Sequence, residues 1–219
     1  MPAGKYTFYL HSDDRTDMLA ARTIETVSQP LRGDFIRTAA LAGFILYQTD
    51  VRLPGLVTEL FDGRLSTGQL SALAAAVSGR YKLMTGMQDE SEVRVVSAET
   101  AADDKAERRR FTLVLPDDDG TRCARLQIES VSTRLRGQLL RNLIVAGCAL
   151  HTLEPRFPRL LASLPAPPDS PQALVVLAGQ LTGSVPEPEQ GRAEAPPPAG
   201  GAAQPVPSPQ IISNMKKLF

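Results

Sequence analysis

The chain contains no tryptophan, and aromatic residues make up only 5% of it. So few large rings suit small helical modules better than a broad β-sandwich, whose core relies on them. Its two cysteines, Cys123 and Cys148, have neither metal-ligand nor disulfide-framework spacing. No apolar run approaches the ~18 residues needed to span a bilayer, and no signal peptide is visible. The expectation is therefore a soluble, cytoplasmic protein without membrane contact. The two histidines, His11 and His151, pair with no nucleophile and do not recur at equivalent positions. Asp13, Asp14 and Asp117 to Asp119 read as turn and N-cap residues rather than metal ligands. No enzyme, cofactor or metal site is expected.

Net charge is also lacking, at zero over 219 residues. A neutral total can hide a basic face beside an acidic linker, and here the charge is unevenly spread. Residues 108–164 hold ten Lys/Arg against five Asp/Glu, whereas residues 83–107 hold two against seven. With 42% hydrophobic residues the chain can bury one medium core or two small ones.

What the chain does have is an internal duplication. K-Y-T-F-Y-L-H-S-D-D (Lys5 to Asp14) aligns with R-F-T-L-V-L-P-D-D-D (Arg110 to Asp119). I-E-T-V-S-Q-P-L-R-G-D-F-I-R (Ile24 to Arg37) aligns with I-E-S-V-S-T-R-L-R-G-Q-L-L-R (Ile128 to Arg141). The match continues from Leu41 to Pro54 and from Val145 to Pro158. The offset is 105 in the first block and 104 afterwards, so one residue is missing ahead of the second copy's central helix.

Each copy opens with an alternating strand. Tyr6, Phe8 and Leu10 share one face, and Lys5, Thr7 and Tyr9 the other. In the second copy Phe111, Leu113 and Leu115 oppose Arg110, Thr112 and Val114. A lone strand leaves backbone amides and carbonyls unpaired, and the nearest partner is the duplicate. A first helix is expected over Asp17 to Val27, with Met18, Ala21, Ile24 and Val27 on one face. A second, about Leu31 to Gln48, contains A-A-L-A-G-F-I-L and must be central to the core. Gly43 and Gly147 occupy the same position in both copies. A helix-interior Gly costs up to ~1 kcal/mol against Ala, so a close helix–helix approach is expected there. Pro54 and Pro158 suit the first turn of a third helix. Ser66 with Gln69 forms a capping box for a fourth, and Ser170-Pro171-Gln172 offers a similar start.

The fold class that follows is mainly α with a short two-stranded antiparallel ribbon, a duplicated ribbon–helix–helix forming an intrachain pseudo-dimer. Such a ribbon is thin enough to enter the major groove of DNA. Its outward side chains would be Lys5, Thr7, Tyr9, Arg110, Thr112 and Val114. The start of the second helix in each copy offers free amides to phosphate, with Ser28, Gln29 and Arg32 at one start and Ser132, Thr133, Arg134 and Arg136 at the other. Any one of these residues is more often structural or solvated. The recurrence of basic residue–Thr and of Leu-Arg-Gly in both copies favours a site. Cys148 reads as core.

The run V-S-Q-P-L-R-G-D-F-I-R-T-A-A-L-A-G-F-I-L-Y-Q-T-D-V-R-L-P-G-L-V-T-E-L resembles ParR-type plasmid partition adaptors, also known as StbB. The distinctive part is A-G-x-x-L-[YH]-x-x-[DE]-x-R-x-P, present in both copies. The resemblance covers about two thirds of the chain. It implies a ribbon–helix–helix fold with extra C-terminal helices that binds tandem repeats of double-stranded plasmid centromere DNA. It also implies self-assembly on those repeats, and a C-terminal peptide that engages an actin-like ParM ATPase filament. Autoregulation of the operon is a further expectation. Two copies in one chain depart from the pattern and point to an asymmetric ribbon that reads a non-palindromic pair of half-sites. The alternative is a ribbon–helix–helix repressor, or an antitoxin with a partner-binding tail.

The expected organisation is a first copy over 5–79, an acidic linker over 80–109, a second copy over 110–183, a disordered Pro/Ala-rich tether over 184–207 and a filament-binding peptide over 208–219. The linker is long enough for intrachain or swapped pairing. In the last segment Ser208-Pro209 is a helix start, and Ile211, Ile212, Met215, Leu218 and Phe219 fall on one helical face. Lys216 and Lys217 suit the last turn. These seven residues are the candidate partner contacts, on a segment expected to order only on binding.

Overall fold

In this computed structural model the described residues are 4–79 and 108–183. The tether, the C-terminal peptide with all seven candidate partner contacts, and the expected linker apart from Arg108 and Arg109, which begin the second strand, lie outside them. The element order is β1 (Gly4–His11), α1 (Arg15–Thr26), a short 3-10 turn (Gln29–Leu31), α2 (Arg32–Thr49), α3 (Leu53–Leu60), α4 (Thr67–Val77), β2 (Arg108–Leu115), α5 (Asp119–Ser130), α6 (Thr133–Leu153), α7 (Phe157–Ala162) and α8 (Pro171–Thr182). Each copy contributes one strand and four helices.

The two strands pair with each other, antiparallel, with Thr7 opposite Thr112, Lys5 opposite Val114 and Tyr9 opposite Arg110. Each strand therefore finds the hydrogen-bonding partner that its own copy lacks. Tyr6, Phe8, Leu10, Leu113 and Leu115 are buried beneath the ribbon. Phe8 stacks on the facing Phe111 with ring centroids 5.5 Å apart.

A turn leads from each strand into a helix capped by an aspartate. Asp14 accepts from the amides of Thr16 and Asp17, and Asp118 from that of Thr121. Three residues separate Leu10 from Asp14 but only two separate Leu115 from Asp118. The residue missing from the second copy is thus lost in the strand-to-helix turn, where a change of length leaves both the pleat and the helix register intact.

Helices α2 and α6 cross at the centre of the molecule. A Cβ on Gly43 would lie 2.0 Å from the Leu143 carbonyl oxygen, and one on Gly147 would lie 2.1 Å from the Ala39 carbonyl oxygen. Ala39 and Leu143 are themselves equivalent residues, so the crossing is reciprocal. Only glycine permits this separation. The copies interlock elsewhere too: α2 packs on β2 and α7, α6 on β1 and α3, and α4 on α8. One continuous core results, running from Tyr6 to Ala178.

The outer helices start as their sequences dictate. Pro54 and Pro158 sit in the first turns of α3 and α7. Ser66 and Gln69 form the reciprocal capping box of α4, and Ser170 caps α8. Two features differ from expectation. The buried face of α1 consists of Asp17, Ala20, Ala21 and Ile24, while Met18 is 39% exposed and Val27 is half-buried. Gln29–Leu31 forms a 3-10 turn ahead of α2, the geometry that Pro30 at its start suits.

The pseudo-symmetry is also incomplete after α3 and α7. The loop after α3 buries Phe61 and Leu65, and the Leu65 amide donates to Thr152 Oγ1 at 3.1 Å. Their counterparts in the second copy are Pro165 and Asp169, both exposed. An open groove of about 400 Å³ remains there, lined in part by Leu41, Phe44 and Ile45. Cys148 is fully buried, as expected, and burial pushes its thiol up to about 12. Among the described residues no helix is long and apolar enough to cross a membrane.

Candidate nucleic-acid interface

Because side chains alternate across a pleated strand, the antiparallel register decides which residues share the ribbon's open face. The pairs Lys5–Val114, Thr7–Thr112 and Tyr9–Arg110 all fall on it. The structure therefore brings together all six ribbon residues singled out in the sequence. Lys5, Tyr9, Arg110 and Val114 are exposed, and the two threonines at the centre are half-buried. With neighbouring strands ~4.8 Å apart, this row is a narrow ridge of ammonium, guanidinium, hydroxyl, phenol and methyl groups.

The pairing extends one step further, to His11 opposite Arg108, on the same face. Sequence reasoning missed these two. The expected strands, Lys5 to Leu10 and Arg110 to Leu115, stop short of them, with Arg108 assigned to the linker. Parity was the available signal, since both lie an even number of places from residues already assigned to the open face. The neighbouring Arg109 points the other way and pairs with Glu25 of α1. Of three consecutive arginines, 108 and 110 face outward and 109 fastens the ribbon to a helix.

At the two helix starts, Ser28, Gln29, Ser132, Thr133 and Arg134 are all exposed. Ser28 and Ser132 occupy N-cap positions but make no side-chain capping bond. Arg32 and Arg136 are placed differently from their neighbours. Arg32 donates from Nε to the Val27 carbonyl at 3.0 Å and from Nη2 to that of Glu25 at 3.2 Å. Arg136 donates from Nε to the Ile128 carbonyl at 2.9 Å, and from Nη2 to those of Glu129 and Val131. Both guanidiniums thus satisfy carbonyls at the end of the preceding helix, where positive charge is favoured. They fix the corner from which the second helix departs.

One end of the ribbon is anchored by a charge network that the sequence did not reveal. Asp17 is fully buried. Its Oδ1 accepts from Arg141 Nε at 2.6 Å, and its Oδ2 accepts from the His11 backbone amide at 2.9 Å. Arg141 also donates from Nη2 to Asp14 Oδ2 at 2.6 Å. Burial raises the Asp17 carboxyl above its usual range, opposed by the His11 amide and by Arg141. In the other half the corresponding positions are Thr121 and Arg37. Thr121 donates its hydroxyl to the Pro116 carbonyl at 2.5 Å, and Arg37 pairs instead with Asp34 on its own helix.

A family model described as plasmid stability protein matches residues 4–74 and again residues 109–177. The chain belongs to the plasmid stability protein family. The double match makes it a tandem form of that family, and it carries with it a role in plasmid maintenance. Comparison with the curated proteins and with the solved structures gave no match. In this plasmid stability protein the family's unit is used twice within one core, and the paired strands form the ridge described above.

Proposed function

We propose that this plasmid stability protein is a DNA-binding partition adaptor. Its ribbon enters the major groove of centromere repeats, and its C-terminal peptide, residues 208–219, couples the bound plasmid to an actin-like ParM filament. The observation that carries this reading is the open row Lys5, Thr7, Tyr9, Arg110, Thr112 and Val114 on a two-stranded ribbon. A two-stranded ribbon fits the major groove, where arginine and lysine meet guanine edges, and threonine and valine methyls meet thymine. Exposed Ser28, Gln29, Ser132, Thr133 and Arg134 at the helix starts would hold phosphates and set the register on the duplex. Side-by-side assembly on tandem repeats and repression of the protein's own operon are part of the same proposal.

The chemistry supports positioning rather than catalysis. The exposed groups are donors, cations and methyls held on a rigid ridge. Binding of the full chain to plasmid repeat DNA should weaken steeply with salt, by about 0.9 in log–log slope for each phosphate neutralised. Removing residues 208–219 should leave that binding unchanged while abolishing co-sedimentation with the filament and plasmid segregation. Segregation that survives the truncation would refute the coupling role and leave a repressor. A flat salt response would refute DNA binding itself.

A further inference from the structure

We propose that the ribbon binds its duplex in one orientation, with affinity concentrated at the end carrying Tyr9, Arg108 and Arg110. The inference rests on the DNA-binding reading above. It comes from the register of the two strands, which are equivalent in position but no longer in chemistry.

The pseudo-two-fold axis passes between Thr7 and Thr112, which face each other. In a ribbon of two identical strands the side chains on either side of that axis would be the same. Here one end presents Lys5 beside Val114. The other presents Tyr9 beside Arg110 and, one step on, His11 beside Arg108. Arg108 and Arg110 are exposed, and neither pairs with a carboxylate among the described residues. Among the described residues, two outward guanidiniums of the ribbon at one end therefore stand against one outward lysine at the other. A guanidinium can grip O6 and N7 of a guanine with two hydrogen bonds, whereas valine offers only methyl contact with thymine.

The helix beside each end reinforces the difference. An open cleft of about 630 Å³ is shared by Tyr9 and His11 of the ribbon and Gly137 and Gln138 of α6, so the first turns of α6 flank the arginine-bearing end. The other long helix, α2, packs on β2 instead. The start of α6 carries Arg134 and Gln138 where that of α2 carries Pro30 and Asp34. The α6 start thus gains one cation and one backbone N–H, which proline lacks, and has no acid in its first turn. Aspartates do not distinguish the ends, because each strand-to-helix turn is acidic: Asp13 and Asp14 at one end, and Asp117 to Asp119 at the other.

Each half of the site is consequently composite. The strong half takes Tyr9 and His11 from the first copy and Arg108, Arg110 and Arg134 from the second. The weak half takes Lys5 from the first copy and Val114 from the second.

The test is a selection of duplexes from a random pool with the full chain, followed by affinity and footprint measurements on the selected duplex. The expected motif is non-palindromic, with a guanine in one half. Arg110→Ala should lower affinity by roughly 5- to 150-fold and erase base preference and protection in that half alone. Arg110→Lys should weaken the guanine preference without erasing it, since an ammonium still reaches O6 and N7 but lacks the planar fork. Lys5→Ala should act only on the opposite half, and more weakly. A palindromic motif, or equal losses in both halves from Arg110→Ala, would overturn the polarity while leaving DNA binding intact. Failure to select any duplex would overturn the DNA-binding reading, and the polarity with it.

Discussion

Adding one methyl group at the centre of the α2–α6 crossing should loosen the whole molecule. A Cβ at Gly43 would sit 2.0 Å from a backbone oxygen of the opposite helix, well over an ångström inside ordinary van der Waals contact. The obstacle is main chain, so no side-chain rotation relieves it, and the helices must move apart. Overpacking of this kind costs ~1–3 kcal/mol and occasionally more. Replacing a helix-interior glycine by alanine returns at most ~1 kcal/mol of helix propensity. The clash wins, and Gly43→Ala should lower the thermal midpoint by on the order of 5 °C, taking ~2–4 °C per kcal/mol for a chain of this size. Gly147→Ala should do the same against Ala39. The double variant should lose less than the two single losses combined, because one helix separation relieves both clashes. Gly33 and Gly137 provide an internal control of opposite sign. They lie in the same two helices, yet a Cβ at either meets nothing within 4 Å. Alanine there should raise stability by ~0.5–1 kcal/mol. Differential scanning calorimetry of the four single variants decides the matter. Unchanged or raised midpoints for both Gly43→Ala and Gly147→Ala would refute the close crossing.

Arg141→Ala should cost ~3–5 kcal/mol in denaturant titrations at neutral pH, since it strands a buried aspartate. A carboxyl whose folded-state pKa is raised favours folding in its protonated form. That loss should therefore shrink as pH falls through the Asp17 titration, and a penalty independent of pH would count against the network. Phe61→Ala should cost ~3–5 kcal/mol, the usual range for a buried ring, while Pro165→Ala at the exposed equivalent position should stay within about 0.5 kcal/mol. Similar losses at the two sites would contradict the unequal sealing of the halves. His151, set edge-on against Phe35 at 5.0 Å, has its pKa lowered, chiefly by burial. Its depressed value means stability present above its ordinary pKa of ~6.5 and lost as pH falls below it. His151→Gln should flatten the midpoint-versus-pH curve below about pH 6.5, and an unaltered slope would remove His151 as the cause.

Much of this architecture was legible in the chain because its cues are local. Alternation in Lys5 to Leu10 and Arg110 to Leu115 marked the strands, the prolines and capping residues marked helix starts, and the recurrence of Gly43 and Gly147 marked the crossing. The same alternation placed the six ribbon residues on one face. What escaped depends on partners far away in sequence. Hydrophobic periodicity turned Met18 inward, whereas the fold turns Asp17 inward, because Arg141, 124 residues on, supplies the compensating charge. Arg109 likewise reads as one cation in a basic run until Glu25 is placed beside it. The roles of Arg32 and Arg136 were hidden for a subtler reason. Their recurrence was visible, but the carbonyls they hold belong to backbone that carries no sequence signature.

The pairing of β1 with β2 has a consequence for how the protein behaves when it is scarce. A ribbon assembled from two separate chains is subject to mass action, and its folded fraction falls as the protein is diluted. Here both strands belong to one polypeptide, and their encounter is set by the length of chain between them rather than by the number of molecules present. Thermal midpoints should therefore not depend on protein concentration. A cell holding only a few copies would still hold them fully assembled.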